Sequence, residues 1–374
     1  MKFTVNSALL SQRLQTLGRV ISSKNSMPIL GNFFFKLKDG VLSVMASDNE
    51  IVLTTVLDLV ASEGEMEFTI NAKTAQDSIR EIPEQPLEFC VNDDTLEITV
   101  YYQNGSYSMM AESSDQYPLP KPMDDQATTL VLPNTVLYNG VNRALFAAGN
   151  DPLRPVMSGV YFDQRADGLC IVASDGRKLA STRMPQIVSE TECSLNLPQK
   201  AASIFKNYLV KESGDTTIRF TNREAELTTE HYTMTCRLIE GRFPNYNSVI
   251  PRNNPNAMTV SRSGLLAALR RIMVFSNAGS PLVKFRIESG RLEVSTRDID
   301  YRRSGVESLL CEFNNGSMEI GFKGPLLMEL LSNMDHDEVV FKMSDPSRAS
   351  IVVPAEQQED EEVVMLIMPM MISE

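Results

Sequence analysis

The 374-residue chain has no tryptophan, only two histidines and no C-x-x-C pair. Each shortage removes a class of function. His231 and His336 are too few and too far apart in sequence to suggest a histidine metal centre or a Ser-His-Asp triad. Cysteines stand at 90, 170, 193, 236 and 311, an odd number at irregular spacing, which fits idle thiols better than disulfides or zinc. No apolar run approaches the roughly 20 residues of a membrane helix, and the opening MKFTVNSALLSQRL lacks a secretory apolar core. A cytoplasmic location is expected. No G-x-x-x-x-G-K-[ST] loop occurs, so ATP hydrolysis by that route is not expected. The net charge of −13, taken bluntly, argues against nucleic acid.

What the chain does have is a recurring phrase. DGVLSVMASDNE begins at Asp39, DGLCIVASDGRK at Asp167 and a fainter SGRLEVSTRDID at Ser289. Each follows an amphipathic helix and a strand, turns near Gly40, Gly168 or Gly290, and closes a second strand at Asp48, Asp175 or Asp298. The glycines are 128 and 122 residues apart, far beyond the roughly 20–50 residues of a solenoid unit. A whole domain is therefore triplicated. The second halves repeat as well: EFTINAKTAQDSIREI, SLNLPQKAASIFKNYL and SMEIGFKGPLLMELL each read as strand, link and helix. Alternating strands follow each of them. Polar, proline-bearing linkers lie near 113–126 and 244–257. The expectation is an α+β fold of three tandem similar domains, 1–125, 126–252 and 253–374, each with two helices packed on antiparallel sheets.

The charge is unevenly spread. The six expected helices with their flanks hold 13 basic and 4 acidic residues, a sum of +9 inside a chain of −13. On the first helix, expected over residues 7–22, Leu10, Leu14, Leu17 and Ile21 form the apolar stripe, with Arg19 opposite and Arg13 on the flank. On the third helix Leu137, Val141, Leu145 and Ala148 form it, opposed by Arg143. On the fifth Leu265, Leu269, Ile272 and Met273 form it, opposed by Arg271 and flanked by Arg270. A solubility device would interleave glutamate, yet these three helices contain no acid. Basic helices on an acidic protein suit a polyanion that the remaining surface repels.

Six stretches then carry a resemblance that runs from end to end: MKFTV, MPILGN at 27–32, ASDGRKLA at 173–180, EGRFPNY at 240–246, EIGFKGPLLMELL at 319–331 and IMPM at 367–370. The chain resembles the bacterial DNA sliding clamp family, the beta subunit of the DNA polymerase III holoenzyme. That resemblance implies a head-to-tail homodimer closed into a six-domain ring around double-stranded DNA, held without sequence specificity. It implies a processivity factor with no catalysis, no cofactor and no metal. It places Arg13, Arg19, Lys24, Lys73, Arg80, Arg143, Lys200, Lys206, Arg270 and Arg271 toward DNA. It places Tyr107, Met109, Val274 and Phe275 at the dimer interface. It implies a pocket for short peptides of the replicative polymerase, clamp loader, repair polymerases and mismatch-repair proteins. That pocket maps onto Met157, Ser174, Gly176, Arg177, Lys178, Leu179, Pro244, Val249, Leu326, Leu366, Ile367, Met368, Pro369 and Met370. Arg177, Lys178 and Ser248 depart from the commonest family pattern, as do the acidic insert at 356–362 and the terminal MISE; the departures bear on peptide preference.

Two rivals stand beside this reading. Asp48, Asp175 and Asp298 could mark acid–base catalysis, but active sites are rarely triplicated, and an aspartate in a turn can bond its own backbone. A peptide-binding scaffold that never meets DNA fits the acidic total and not the basic helices.

Overall fold

The computed structural model describes residues 1–22, 24, 27–189 and 191–372; the last two residues of MISE lie outside these. Among the described residues are six α-helices: α1 (Ser7–Leu17), α2 (Ala72–Arg80), α3 (Asn134–Leu145), α4 (Gln199–Leu209), α5 (Arg262–Ile272) and α6 (Gly324–Ser332). Their starts are written in the sequence. Asn6, Asn71 and Ser261 accept the backbone N–H of Leu9, Thr74 and Gly264 at 3.0, 3.1 and 3.2 Å, which satisfies donors that a helix leaves unpaired. Pro325 occupies the first turn of α6, where its missing N–H costs nothing.

The chain packs as two compact units, which do not follow the threefold repeat. The first joins Met1–Tyr138 to Ser203–Leu238. Its larger sheet has eight antiparallel strands in the order Thr128–Pro133, Asp215–Phe220, Glu224–Thr228, Tyr232–Arg237, Ile51–Leu57, Val41–Ser47, Asn32–Lys38 and Met66–Asn71. The seam is the pairing of Ile51–Leu57, from the first repeat, with Tyr232–Arg237, from the second. A five-stranded sheet, Ala61–Glu63, Lys2–Asn6, Pro86–Val91, Glu97–Tyr102 and Gly105–Met110, completes the unit. Leu10, Leu14 and Leu17 of α1 are fully buried, and Phe3 stacks on Phe89 with centroids 4.7 Å apart.

The second unit joins Asn139–Ala202 to the segment from Ile239 onward. Its nine-stranded sheet runs Cys193–Pro198, Gly159–Arg165, Gly168–Ser174, Lys178–Met184, Glu362–Ile367, Ser350–Pro354, Glu338–Met343, Asn256–Ser261 and Cys311–Phe313. Here the seam pairs Lys178–Met184 of the second repeat with Glu362–Ile367 of the third. A four-stranded sheet adds to it: Arg303–Leu309, Arg291–Asp298, Leu282–Glu288 and Ser317–Lys323. Phe285, Phe322 and Phe341 cluster in its core with centroids 5.3 to 6.2 Å apart.

The recurring phrase is a turn device. Gly40, Gly168 and Gly290 have φ of +77°, +130° and +78°, where a side chain would be strained. Each repeated aspartate accepts two backbone N–H bonds: Asp48 from Glu50 and Ile51, Asp175 from Arg177 and Lys178, Asp298 from Asp300 and Tyr301, at 2.7 to 3.2 Å. This is the backbone-bonding role of a turn aspartate, three times over.

Three expectations need correction. α1 stops at Leu17, five residues early, where Arg19 and Val20 donate to the carbonyls of Thr16 and Leu17; Ile21 is outside the helix. Leu145 and Met273 are half-buried, and Ala144 takes the inward place on α3. Most consequential, Arg13 and Arg143 are buried and cannot present free charge to a phosphate. Arg13 lies 3.6 Å from Glu212 and over the Tyr232 ring at 4.8 Å. Arg143 bonds Asp335 at 3.2 Å and also Glu361. Both arginines hold a seam, and Glu361 belongs to the acidic insert, so part of that insert is structural. Gln357 braces it further by exchanging bonds of 2.8 and 2.9 Å with the Val363 backbone.

A buried ion that loses its partner typically costs about 3–5 kcal/mol. Arg143→Ala strands the buried Glu361 carboxylate, so we expect a loss of that order in urea unfolding followed by circular dichroism. Arg271→Ala, at an exposed pair, leaves the midpoint unchanged.

Candidate functional site

A cavity of about 170 Å³ opens in the second unit. Five stretches build it. The turn between Gly168–Ser174 and Lys178–Met184 supplies Ser174, Gly176, Lys178 and Leu179. The end of the second repeat supplies Phe243, Pro244, Asn245, Tyr246 and Val249. Met157 and Ala349 close two sides, and Leu366 and Met368 come from the last strand and its exit. The floor is packed hydrophobic: Cys170, Val172, Leu179, Phe243, Tyr246 and Leu366 form one buried cluster.

The walls are held by bonds that do not point into the cavity. Tyr161 and Phe243 stack nearly parallel, 4.6 Å apart. The Tyr246 hydroxyl donates to Asp163 at 2.7 Å, and Arg165 donates to the same carboxylate at 2.8 Å. Burial pushes the Tyr246 phenol far above its ordinary range, so it stays a donor. Burial likewise raises the Cys170 thiol, which sits 3.1 Å from the Ser181 hydroxyl. Ser174 donates to the Lys178 carbonyl at 2.8 Å and accepts from Gly176 N–H at 3.1 Å. Gly176 has φ of +86°, and a Cβ there would stand 2.8 Å from Arg154 Nη1. Past the last strand, Met368 N–H donates to the Arg177 carbonyl and Met370 N–H to that of Gly321, both at 2.8 Å. These two bonds pin the tail beside the turn. The result is a mostly apolar cleft with few polar groups, suited to binding apolar side chains.

Of the residues assigned to this pocket from the sequence, the fold gathers Met157, Ser174, Gly176, Lys178, Leu179, Pro244, Val249, Leu366 and Met368 around the cavity. Arg177 is exposed next to it and joins through its backbone only. Ile367 is fully buried, because strand alternation turns it away from the face Leu366 uses. Leu326, Pro369 and Met370 are half-buried and off the lining. Lys178 lines the wall without free charge, paired to Glu329 at 2.5 Å and lying over the Phe146 ring. Phe243, Asn245, Tyr246 and Ala349 were missed. The first three stand in the EGRFPNY stretch, whose aromatic spacing was a usable signal; Ala349 had none.

The remaining basic residues are scattered by environment. Arg19, Lys24, Lys73, Lys200, Arg270 and Arg271 are exposed, and Lys206 is half-buried. Arg80 is exposed but flanked by Asp77 and Glu81, and Arg271 forks onto Glu307 at 2.6 and 2.7 Å. Such solvated pairs are weak and can be exchanged for another anion. Among the described residues there is no cluster of three or more His, Cys, Asp or Glu able to hold a metal.

The third feature is a pair of unfinished sheets. Gly105–Met110 ends the five-stranded sheet of the first unit, and Arg303–Leu309 ends the four-stranded sheet of the second. Tyr107 is 38% exposed and tilts on Tyr102 at 5.0 Å; Met109 is half-buried. Val274 is 71% and Phe275 42% exposed, and the Phe275 ring lies against Gly305. An edge with exposed aromatics is a template for another strand.

Comparison with known proteins gives a consistent picture. Models of the N-terminal, central and C-terminal domains of the DNA polymerase III beta subunit match residues 1–121, 131–245 and 247–371. The chain is 24% identical to the beta sliding clamp of Pseudomonas aeruginosa over 98% of this chain and 99% of that one. It is 25% identical to the beta sliding clamp of Treponema pallidum over 93% and 94%. Among solved structures it resembles the DNA polymerase III beta subunit of Thermotoga maritima, with TM-score 0.90 and 24% identity over the full length of both. It also resembles a P. aeruginosa sliding clamp bound to griselimycin, with TM-score 0.91 and 23% identity over the full length of both.

Tyr246→Phe removes the hydroxyl that Asp163 accepts from. We expect a loss of about 1–3 kcal/mol in thermal unfolding, the usual cost of a buried acceptor left short, with Asp163→Asn milder.

Proposed function

The chain belongs to the DNA polymerase III beta subunit family, and from that premise we propose that it is a DNA sliding clamp, a non-catalytic processivity factor. The reading is that two copies close head to tail into a ring of six similar domains, with limits in each chain near 125 and 252. The ring encloses duplex DNA and tethers polymerases by peptides seated in the cavity. The observation that carries this is the pair of seams. Twice in the chain a sheet edge of one repeat pairs with the next repeat, and one edge of each kind is left over. A contact of that head-to-tail kind either closes or forms a filament, and three repeats per chain favour closure by two chains.

Function then comes from topology. The exposed cations Arg19, Lys24, Lys73, Lys200 and Arg270 are suited to phosphate, which carries no base information, so the ring holds any sequence and slides. Arg80 and Arg271 can trade their solvated carboxylates for phosphate. Tethering raises the effective concentration of a polymerase at its primer end with no new chemistry. The cavity, floored by Phe243, Leu179 and Leu366, would grip leucine and phenylalanine side chains of the polymerase, clamp loader, repair polymerases and mismatch-repair proteins. The work would be done in the cytoplasm, at the replicating chromosome.

Two sets of variants separate the two activities. Arg19→Glu, Lys73→Glu and Arg270→Glu together should weaken binding to linear duplex. Removing each cation that meets a phosphate should flatten the slope of log K against log salt by about 0.9. Affinity for a short leucine–phenylalanine peptide should not change. Leu366→Ala with Met368→Ala should do the reverse, lowering peptide affinity by about tenfold or more while the salt slope stays put. Unchanged DNA binding in the first set would sink the assignment of those cations.

A further inference from the structure

We infer that the two free sheet edges carry a register and charge key for a second copy of this chain, in which Gly305 faces Tyr107 and Arg303 faces Asp77 of the other copy. The inference rests on the dimer reading above and makes it specific. Its source is internal to the chain, since each seam is already built twice.

Equivalent positions can be read from the ladders. The residue two before the turn aspartate pairs across its hairpin as Ala46 with Leu53, Ala173 with Ala180 and Thr296 with Gly305. On the opposite side, the fourth residue of Asp215–Phe220, Glu338–Met343 and Pro86–Val91 leads across two ladders. The paths are Ile218 to Leu227 to Met234, Phe341 to Val352 to Met365, and Phe89 to Val100 to Tyr107. At the two seams these positions meet: Leu53 opposite Met234, and Ala180 opposite Met365. A third use of the same rule sets Gly305 opposite Tyr107 of a second copy, and so Ser304 opposite Ser108. The joined sheet would have nine strands, from the five and four now left apart, matching the nine of the second unit.

Size and burial agree. Leu53, Met234, Ala180 and Met365 are all buried, whereas Tyr107 at the equivalent place is exposed in the single chain. Glycine leaves room for the larger ring, and Phe275, which would come within 3.1 Å of a Cβ at position 305, forms the wall behind it.

The charges agree too. Ile51, Lys178 and Arg303 occupy one place, each beside its turn aspartate. The sixth residue of α4, α6 and α2 is Ile204, Glu329 and Asp77. The first seam thus holds two buried isoleucines, the second the Lys178–Glu329 pair, and the third would hold Arg303 and Asp77. Among the described residues of the single chain, Asp77 approaches Arg80 at 3.8 Å, at an exposed site. One seam is apolar on both sides and two are complementary in charge, so the position separates the apolar seam from the charged ones.

Sedimentation equilibrium of the full chain tests the charge key. Arg303→Asp alone and Asp77→Arg alone should each weaken self-association by about tenfold or more, from like charges placed together. The double variant should recover self-association and refuse mixed dimers with the unaltered chain. Oxidative cross-linking tests the register. Ser304→Cys with Ser108→Cys should form an interchain disulfide, because directly opposed residues fall within bridging distance. Ser304→Cys with Ser106→Cys, offset by two, should not. A dimer indifferent to both reversals, or one that cross-links through position 106, overturns the key while the dimer reading stands. An unaltered chain that stays monomeric at every concentration overturns both.

Discussion

A β-strand edge presents a row of backbone N–H and C=O groups that must be paired, hidden or defended. In this chain that requirement is met at two places by handing an edge of one repeat to the next. Ile51–Leu57 pairs with Tyr232–Arg237, and Lys178–Met184 with Glu362–Ile367. These seams explain why a chain triplicated in sequence packs as two compact units: each unit is organised around one continuous sheet of eight or nine strands, with the second repeat shared out. The same logic leaves Gly105–Met110 and Arg303–Leu309 each paired on one side only, and so directs the surface that a second copy would complete.

The seams also decide the fate of charge. Arg13 and Arg143 looked from helical periodicity like members of a positive track, and both turned out to be buried counter-ions, to Glu212 and to Asp335 with Glu361. A helix wheel separates a core stripe from its opposite face, but it does not know that a neighbouring repeat covers part of that opposite face. Exposed arginines such as Arg19 and Arg270 escape because no seam reaches them. The acidic insert reads differently for the same reason: Glu361 is drawn into the seam, while its neighbours remain in solvent.

What was legible in the sequence was local or repeated. Alternation marked the strands, glycine and aspartate marked the turns, and the echo of Asp48, Asp175 and Asp298 revealed three copies of one domain. The cavity was legible only through resemblance, because its lining comes from residues 211 positions apart, Met157 to Met368, and no spacing rule unites them. Even then the inward and outward faces of the last strand were confused, so Ile367 was named with Leu366. Tyr246 was overlooked because its role depends on Asp163, which lies 83 residues away in sequence and becomes a neighbour only in the folded sheet.

The central claim is closure of two chains into a hollow ring, and small-angle X-ray scattering on the purified protein in solution reads mass and shape together. The account predicts a mass of two chains and a distance distribution with the depleted short separations of an open centre. A solid particle of any mass, or a single chain that persists as concentration rises, would contradict it.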